Sequence, residues 1–441
     1  MKAHLSNAAY GILDYVAYPI GMLVAAPLVL HNLSAAQYGV WTMATAAVST
    51  GGILASGFGD ANIQHVASRR GAGDHGALLR AVRCMVGINL VLGSVFALIG
   101  WFLSPLVASH VAAGDFGVEY ACLWSLRIAS VLMAVRAIES VCISTQRAFE
   151  RYGAAVRISI LARLLTLGAA AALTFVSKSI VTIMVVSAVL TIFGLWMQLV
   201  RLKQMLSARS LMPAFDREAM RALLGFGTFS WLQAVSSVIF SQVDRLLLGI
   251  SLGAVAVASY ALCAQMTQPI FGLAASGLHF LFPYLSNRSA SSRQVSLRKP
   301  VLIALVCNIA FVCLTAGTLS VFGARILHEW AGAEIAQGTA PVLSMLIWSG
   351  ALLGLNVTGT YALLALGRVQ VVTWFNLAGG AAMLFLMFWL TPRIGIRGVA
   401  IARLSYSLIA LLVYIPLLHQ LFMKAHLPRA PSTLQPVCEE R

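Results

Sequence analysis

Hydrophobic residues occur along this chain in long runs, which short polar gaps separate. A membrane-spanning helix needs roughly 20 mostly apolar residues, and each run is long enough. The pattern therefore predicts an all-α integral membrane protein with 12 transmembrane helices. The predicted spans cover residues 8–30, 38–62, 84–103, 120–143, 154–176, 180–200, 222–250, 254–284, 301–323, 339–366, 371–390 and 398–420.

Basic residues in the gaps predict the orientation of these spans. Of the 30 Lys and Arg residues, 21 lie in alternate gaps, at the two ends or, for Arg157, at the cytoplasmic end of the fifth span; five lie deeper inside spans, and four lie in the other gaps. Those four are Lys178, Arg325, Arg393 and Arg397. Because Lys and Arg collect in cytoplasmic loops, we expect both termini to be cytoplasmic.

The longest inward connection follows the sixth span and divides the chain into two halves. We predict an N-terminal six-helix lobe at 1–205, a cytoplasmic linker at 206–221, a C-terminal six-helix lobe at 222–421 and a tail at 422–441. Prolines and mixed charge in the tail disfavour a packed structure. No cleavable signal peptide is expected, because the first apolar run is too long and contains Asp14.

Composition narrows the functional classes. Hydrophobic residues make up 60% of the chain and charged residues 10%, against about 45–50% and 25% in soluble proteins. The net charge of +16 lies beside the membrane, where anionic lipid headgroups explain it without nucleic acid. No catalytic motif, nucleotide-binding loop or metal-ligand spacing is found, so we expect neither an enzyme nor a cofactor or metal. The cysteines within spans are expected to be packing residues.

Charged residues inside the spans are the first candidates for function. A charge at the bilayer centre costs at least about 2.5–3.5 kcal/mol, so retained charges usually face a cavity or a partner. Arg136, Arg403 and Asp244 lie well inside their spans and are the best cavity candidates. Arg136 and Glu139 are three residues apart on one helix, so they could instead neutralise each other. The full set is Asp14, Asp60, Arg127, Arg136, Glu139, Arg163, Asp244, Arg245 and Arg403.

Polar stripes are the second candidates. Span seven places five polar residues three or four apart, and span eight repeats the pattern. Close packing in lipid explains the serines but not Gln, Asp and His, so we predict a water-filled lumen lined by these faces. The stripes comprise Ser230, Gln233, Ser237, Ser241 and Asp244 in span seven, and Gln265, Gln268, Ser276 and His279 in span eight.

Three segments carry a resemblance to a known family. They are residues 33–41 followed by Gly57-Phe58-Gly59-Asp60, the run 244–249 followed by 258–262, and the run 281–286. These segments resemble the Wzx-type polysaccharide-biosynthesis flippases of the multidrug/oligosaccharidyl-lipid/polysaccharide exporter superfamily. The resemblance extends over most of the chain, since length, span count and both halves agree. Its motifs consist mostly of small and apolar residues.

The resemblance implies two six-helix lobes around a central cavity, working by alternating access in a bacterial cytoplasmic (inner) membrane. The substrate would be an oligosaccharide on a polyprenyl diphosphate, and a polysaccharide polymerase would be a partner. Arginine suits a diphosphate because its planar fork is permanently charged. Arg136 and Arg403, followed by Arg127, Arg163 and Arg245, are the expected diphosphate or sugar-phosphate contacts, and the polar stripes would meet sugar hydroxyls. Asp14, Asp60, Glu139 and Asp244 are candidates to bind a coupling H+ or Na+.

Three alternatives remain open at this point. A drug/cation antiporter of the same superfamily would use Asp14 as its ion-binding acid, although the arginines of the interior would repel a cation. A flippase for the peptidoglycan lipid precursor usually has additional spans. A membrane-embedded transferase or polymerase would need a large outward loop or an acidic catalytic pair near a membrane face. The outward gaps are short, and Glu329 and Glu334 are the only loop pair worth noting.

Overall fold

The computed structural model describes residues 20–112, 114–149, 152–214, 216–278, 281, 284–285 and 298–422, and all structural statements below concern these residues. At residues 60, 152, 154–156, 218–219, 221–230, 233, 237, 239–240, 334 and 421–422 only the backbone is described. Within these ranges the chain is helical, with short turns between helices.

The described residues of the N-terminal half form seven helices. They are α1 (Ile20–Asn32), α2 (Ala35–Ser56), α3 (Gly59–Gly71), α4 (His75–Ala112), α5 (Phe116–Ala148), α6 (Tyr152–Val176) and α7 (Ile180–Met205). Ser34 begins α2, since its hydroxyl accepts a hydrogen bond from the backbone N–H of Gln37 at 3.2 Å. Asp115 begins α5 in the same way, accepting from Gly117 and Val118.

Seven helices are likewise described in the C-terminal half. They are α8 (Arg217–Leu252), α9 (Ala254–Gly277), α10 (Arg298–Ala333), α11 (Ile335–Ala365), α12 (Val369–Ile394), α13 (Ile396–Leu411) and α14 (Tyr414–Phe422). Helix α8 begins at Arg217, so its first turn falls within the predicted linker and ahead of the predicted span at 222. The linker segment still packs on the N-terminal half, because Nε of Arg83 donates to the carbonyl of Met212 at 2.8 Å.

Helices lie in the described part of each of the twelve predicted spans, with α13 and α14 sharing the last. Among the described helices, seven stretches are long and apolar enough to cross a membrane: α4, the part of α6 from Arg157, α7, α10, α11, α12 and the stretch Ile396–Gln420. Helices α2, α5, α8 and α9, which carry most of the polar candidates, are not among the seven. The total of twelve membrane crossings and the location of the termini stay predictions.

Single glycines form the turns of the C-terminal half on its predicted outward side. Gly253 alone separates α8 from α9, and Gly395 alone separates α12 from α13. Gly332 breaks the helix between α10 and α11. All three have positive φ values, of 82°, 62° and 82°, a conformation that residues with a Cβ rarely adopt. The chain therefore reverses at these points with almost no loop.

The two halves meet mainly along α2, which packs against α8 and α9 while α5 supports it from behind. At one end Tyr38 donates its hydroxyl to Oε1 of Gln265 at 3.1 Å, and both residues are buried. At the other end the indole N–H of Trp231 donates to the carbonyl of Leu54 at 3.0 Å. Helix α2 is thus held to the opposite half at both of its ends.

Gly39 allows the closest approach between the halves. A Cβ atom added there would overlap the backbone carbonyl of Ala254, at the start of α9. Since the obstacle is backbone rather than a flexible side chain, no rotamer change can make room. The absence of a side chain at Gly39 is therefore what lets α2 lie directly against α9.

Gly39→Ala is expected to lower stability by about 1–3 kcal/mol, the usual cost of overpacking, because α2 must move away from α9. Thermal unfolding of the purified protein in detergent measures this. The matched control is Gly168→Ala in α6, where an added Cβ meets no atom within 4 Å and alanine favours the helix. Equal melting temperatures for the two variants would contradict the close approach.

Candidate functional site

A buried polar cluster joins four helices of the C-terminal half. Its centre is Asp244 of α8, which is only 1% exposed. The guanidinium of Arg403, on α13, forms an ion pair with Oδ2 of Asp244, and the hydroxyl of Tyr260, on α9, donates to the same oxygen at 2.6 Å. The other carboxylate oxygen accepts from the backbone N–H of Arg245 at 2.8 Å. Both oxygens of this buried carboxylate are therefore satisfied.

The backbone of Arg403 is fixed as well as its side chain. Its carbonyl accepts from the hydroxyl of Ser407, one helical turn later, at 3.0 Å. It also accepts from Ser349, on α11, at 3.4 Å, and the two serine hydroxyls lie 2.7 Å apart. The cluster thus connects α8, α9, α11 and α13, and it holds the Arg403 guanidinium in one direction.

A second ion pair lies on α5 in the N-terminal half. Nη1 of Arg136 is 2.5 Å from Oε2 of Glu139, as the spacing of three residues predicts. Glu139 is 3% exposed, whereas the side chain of Arg136 keeps 25% of its surface accessible. A Cβ atom at Gly52 would lie 3.3 Å from Cβ of Arg136. Arg136 therefore lies next to α2, the helix that contacts the other half.

The remaining three arginine candidates occupy different surroundings. The guanidinium of Arg127 lies over the rings of both Trp101 and Trp124, 5.0 and 5.2 Å from their centroids. Arg163 is half-buried on α6. Arg245 is half-buried beside Asp244, and its buried Nε has no hydrogen-bond partner among the described residues. The five predicted arginines thus do not form one cluster, and two of them, Arg136 and Arg403, are neutralised by acids.

The stripe of span eight reaches the interface between the halves. Gln265 bonds Tyr38 of α2, Gln268 is exposed one turn later, and Ser276 is half-buried. In span seven Ser241 is half-buried. The predicted water-filled lumen stays a prediction. Outside the described side chains lie Asp14, Asp60, Ser230, Gln233, Ser237, His279 and Glu334; Glu329 is exposed.

The sequence interpretation did not single out Tyr260 and Tyr38. Both hydroxyls are buried and bonded to polar side chains on another helix. A buried carboxylate in a span needs several hydrogen-bond partners. From this requirement alone, a donor near Asp244 could have been predicted. Tyr260 was within reach of that argument, because it lies in the neighbouring span and within the family-like run 258–262.

An apolar cavity of about 800 Å³ lies between α9 and α10, on the face of α9 away from α2. Its wall includes Leu273 and Gly277 of α9 and Ile303 and Phe311 of α10. Lys299, in the first turn of α10, is the cationic residue of the lining. Its volume falls within the range of about 300–1,000 Å³ that is typical of ligand sites.

Comparison with protein families gives one match. The family described as "Polysaccharide biosynthesis protein" matches residues 6–288, which is more than half of the chain. Comparison with curated protein sequences gives no significant match.

Solved structures of transporters share the fold. The lipid II flippase MurJ, in an inward closed conformation, has a TM-score of 0.72 at 12% identity, over 91% of this chain and 87% of that chain. A multidrug resistance transporter of the MATE family, in an inward-facing conformation, has a TM-score of 0.67 at 15% identity, over 92% of this chain and 93% of that chain. A MOP superfamily transporter from Pyrococcus furiosus, described by the reverse polarity of its binding pocket, has a TM-score of 0.54 at 12% identity, over 95% of this chain and 96% of that chain.

Asp244→Ala is expected to destabilise the protein by about 3–5 kcal/mol, because it leaves the Arg403 charge uncompensated in a buried site. Adding Arg403→Ala to this variant should cost much less than Arg403→Ala alone. A double-mutant cycle on denaturant unfolding in detergent measures the difference. The control pairs Asp244→Ala with Ser405→Ala, whose hydroxyl bonds only its own helix, at Ala402. Additivity for the Asp244–Arg403 cycle would refute the coupling.

Proposed function

Because the chain belongs to the polysaccharide biosynthesis protein family, we propose that it is a flippase for a polyprenyl-diphosphate-linked oligosaccharide. It moves this lipid from the cytoplasmic to the periplasmic leaflet of a bacterial inner membrane, by alternating access, for cell-surface polysaccharide synthesis. In this proposal the twelve spans form two six-helix lobes, with both termini in the cytoplasm. The fold shared with the lipid II flippase MurJ and with MATE transporters supports a transporter rather than an enzyme.

The charge of the membrane-embedded interior favours an anionic lipid-linked substrate over an organic cation. Among the side chains that the structure describes within the predicted spans, six are arginine, counting Arg157 at the cytoplasmic end of the fifth span, and two, Glu139 and Asp244, are acidic. Each of these acids is already paired with an arginine. The net positive charge of this region favours a diphosphate and opposes an organic cation.

Proton or sodium coupling is constrained by the same contacts. Glu139 and Asp244 would have to release an arginine before either could hold a coupling ion. Asp14 and Asp60 are therefore the better candidates for coupling, as a proposal that rests on the sequence. The stripe residues Gln265, Gln268 and Ser276 are proposed to meet sugar hydroxyls, since they line the α9 face that points to α2.

Transport is tested directly in proteoliposomes that contain a prenyl-diphosphate oligosaccharide. We expect the glycan to become accessible, at a rate that depends on the protein, to an impermeant glycan-modifying enzyme on the opposite face. Protein-free liposomes give the background rate. No exposure with several glycans, together with ion-driven uptake of an organic cation, would overturn the proposal in favour of an antiporter.

The role of Arg136 is tested by a pair of variants. Arg136→Ala alone removes the cation and also leaves Glu139 unpaired, so loss of flipping would have two explanations. Arg136→Ala combined with Glu139→Gln removes both charges and keeps a side chain of similar size. If Arg136 contacts the diphosphate, both variants should flip at least about tenfold more slowly than wild type, at equal membrane abundance.

Recovery of flipping in the double variant would contradict that role, because it would mean that Arg136 serves only to neutralise Glu139. The same reasoning applies to Arg403, whose partner is Asp244.

A further inference from the structure

The apolar cavity between α9 and α10 has no role in the contacts described so far. We call it the α9–α10 groove; Leu273, Gly277, Leu281, Ile303, Cys307 and Phe311 contribute to its wall. An alanine Cβ at Gly277 would meet no atom within 4 Å, so this part of the wall borders open space. The groove is therefore large enough to accept a chain-like ligand.

The groove lies on the outer surface of the helix bundle. Ile303 is 64% exposed and Leu273 is 40% exposed, although both are large and apolar. Helix α10 is one of the stretches that is apolar enough to cross a membrane, with a mean hydropathy of 2.3. In a membrane, exposed apolar side chains of such a helix face hydrocarbon, so a lipid chain can enter the groove from the side.

Helix α9 separates the groove from the polar stripe of span eight. Successive residues of a helix turn by about 100°, which places Ala274 and Gly277 on the face opposite to Gln268 and Gly272. Gln265, on the stripe, contacts Tyr38 of the other half. One helix therefore presents an apolar groove to the lipid on one side and amide side chains to the lobe interface on the other.

Charge distinguishes this groove from an ordinary lipid-facing crevice. Lys299 contributes to the lining at the start of α10, and it has no acidic partner among the described residues. The distribution of Lys and Arg predicts that this end of α10 lies at the cytoplasmic surface. A hydrocarbon groove that ends at a cation on that side is complementary to a lipid whose phosphate lies in the cytoplasmic leaflet.

We propose that the α9–α10 groove holds the hydrocarbon chain of the prenyl-diphosphate-linked substrate, with the Lys299 ammonium beside the diphosphate in the cytoplasmic leaflet, before the diphosphate reaches the arginines of the interior. This inference rests on the proposed flippase function and adds to it a site for the lipid part of the substrate. The prenyl chain stays at the surface of the C-terminal half while the glycan is on the other side of α9. The carrier then moves with this half during transport.

The first test is photo-crosslinking. The purified protein in nanodiscs receives a prenyl-diphosphate oligosaccharide with a diazirine in its prenyl chain, and mass spectrometry locates the adducts. Adducts should concentrate on the groove residues of α9 and α10, and excess substrate without diazirine should remove them. Adducts spread over all lipid-facing helices would overturn the proposal. So would equal labelling by a diazirine phosphatidylglycerol that the prenyl substrate fails to displace, since the groove would then be a phospholipid site.

The second test compares two glycine variants in the flipping assay. Gly277→Phe, on α9, fills the groove. Gly317→Phe adds the same side chain on α10 outside the groove, where a Cβ atom also meets nothing within 4 Å. We expect Gly277→Phe to raise the KM for the prenyl-diphosphate glycan about tenfold and Gly317→Phe to leave it unchanged. Lys299→Gln should raise the KM similarly, and Lys299→Arg should restore it.

Failure of this inference differs from failure of the proposed function. If wild-type protein flips the glycan but Gly277→Phe and Lys299→Gln keep the wild-type KM, the groove proposal is wrong and the flippase proposal stands. If wild-type protein flips no glycan, the proposed function fails, and absence of competed crosslinks would reject the groove independently of transport.

Discussion

The hydrocarbon core of a membrane offers no water to a charged or polar group, so each such group within a span must find its partner in the protein. The cluster around Asp244 follows from this constraint, because its two oxygens are met by Arg403, Tyr260 and a backbone N–H. The same constraint accounts for the pair on α5. Each of these two ion pairs lies entirely within its own half of the protein. The halves can therefore move relative to each other without breaking either pair.

Contacts between the halves are of a different kind. Along α2 they consist of van der Waals packing and of single hydrogen bonds, such as those from Tyr38 and Trp231. Such bonds contribute only about 0.5–1.5 kcal/mol each, and the apolar core that runs through both halves adds to them. The buried ion pairs thus lie inside the halves, whereas a shared apolar core and single hydrogen bonds join the halves along α2.

The sequence was sufficient where the deciding pattern is local. Apolar runs predicted where helices lie, and the spacing of Arg136 and Glu139 predicted their ion pair. Asp244 and Arg403 are 159 residues apart, and no local pattern links them, so their pairing required the fold. The role of Gly39 also required the fold, because it depends on where the distant backbone of Ala254 lies. Arg127 shows a third case, since tryptophans on two helices lie against a charge that the sequence interpretation assigned to the diphosphate contacts.

The single-glycine turns at Gly253, Gly332 and Gly395 leave the predicted outer face of the C-terminal half nearly without loops. A surface of this kind has no flexible segment that could close over a sugar chain and retain it after delivery. In the proposed flippase function, the delivered lipid is then as free to return as it was to leave. We therefore expect the direction of net movement to come from outside this face, either from the proposed ion coupling or from consumption of the glycan on the outer side.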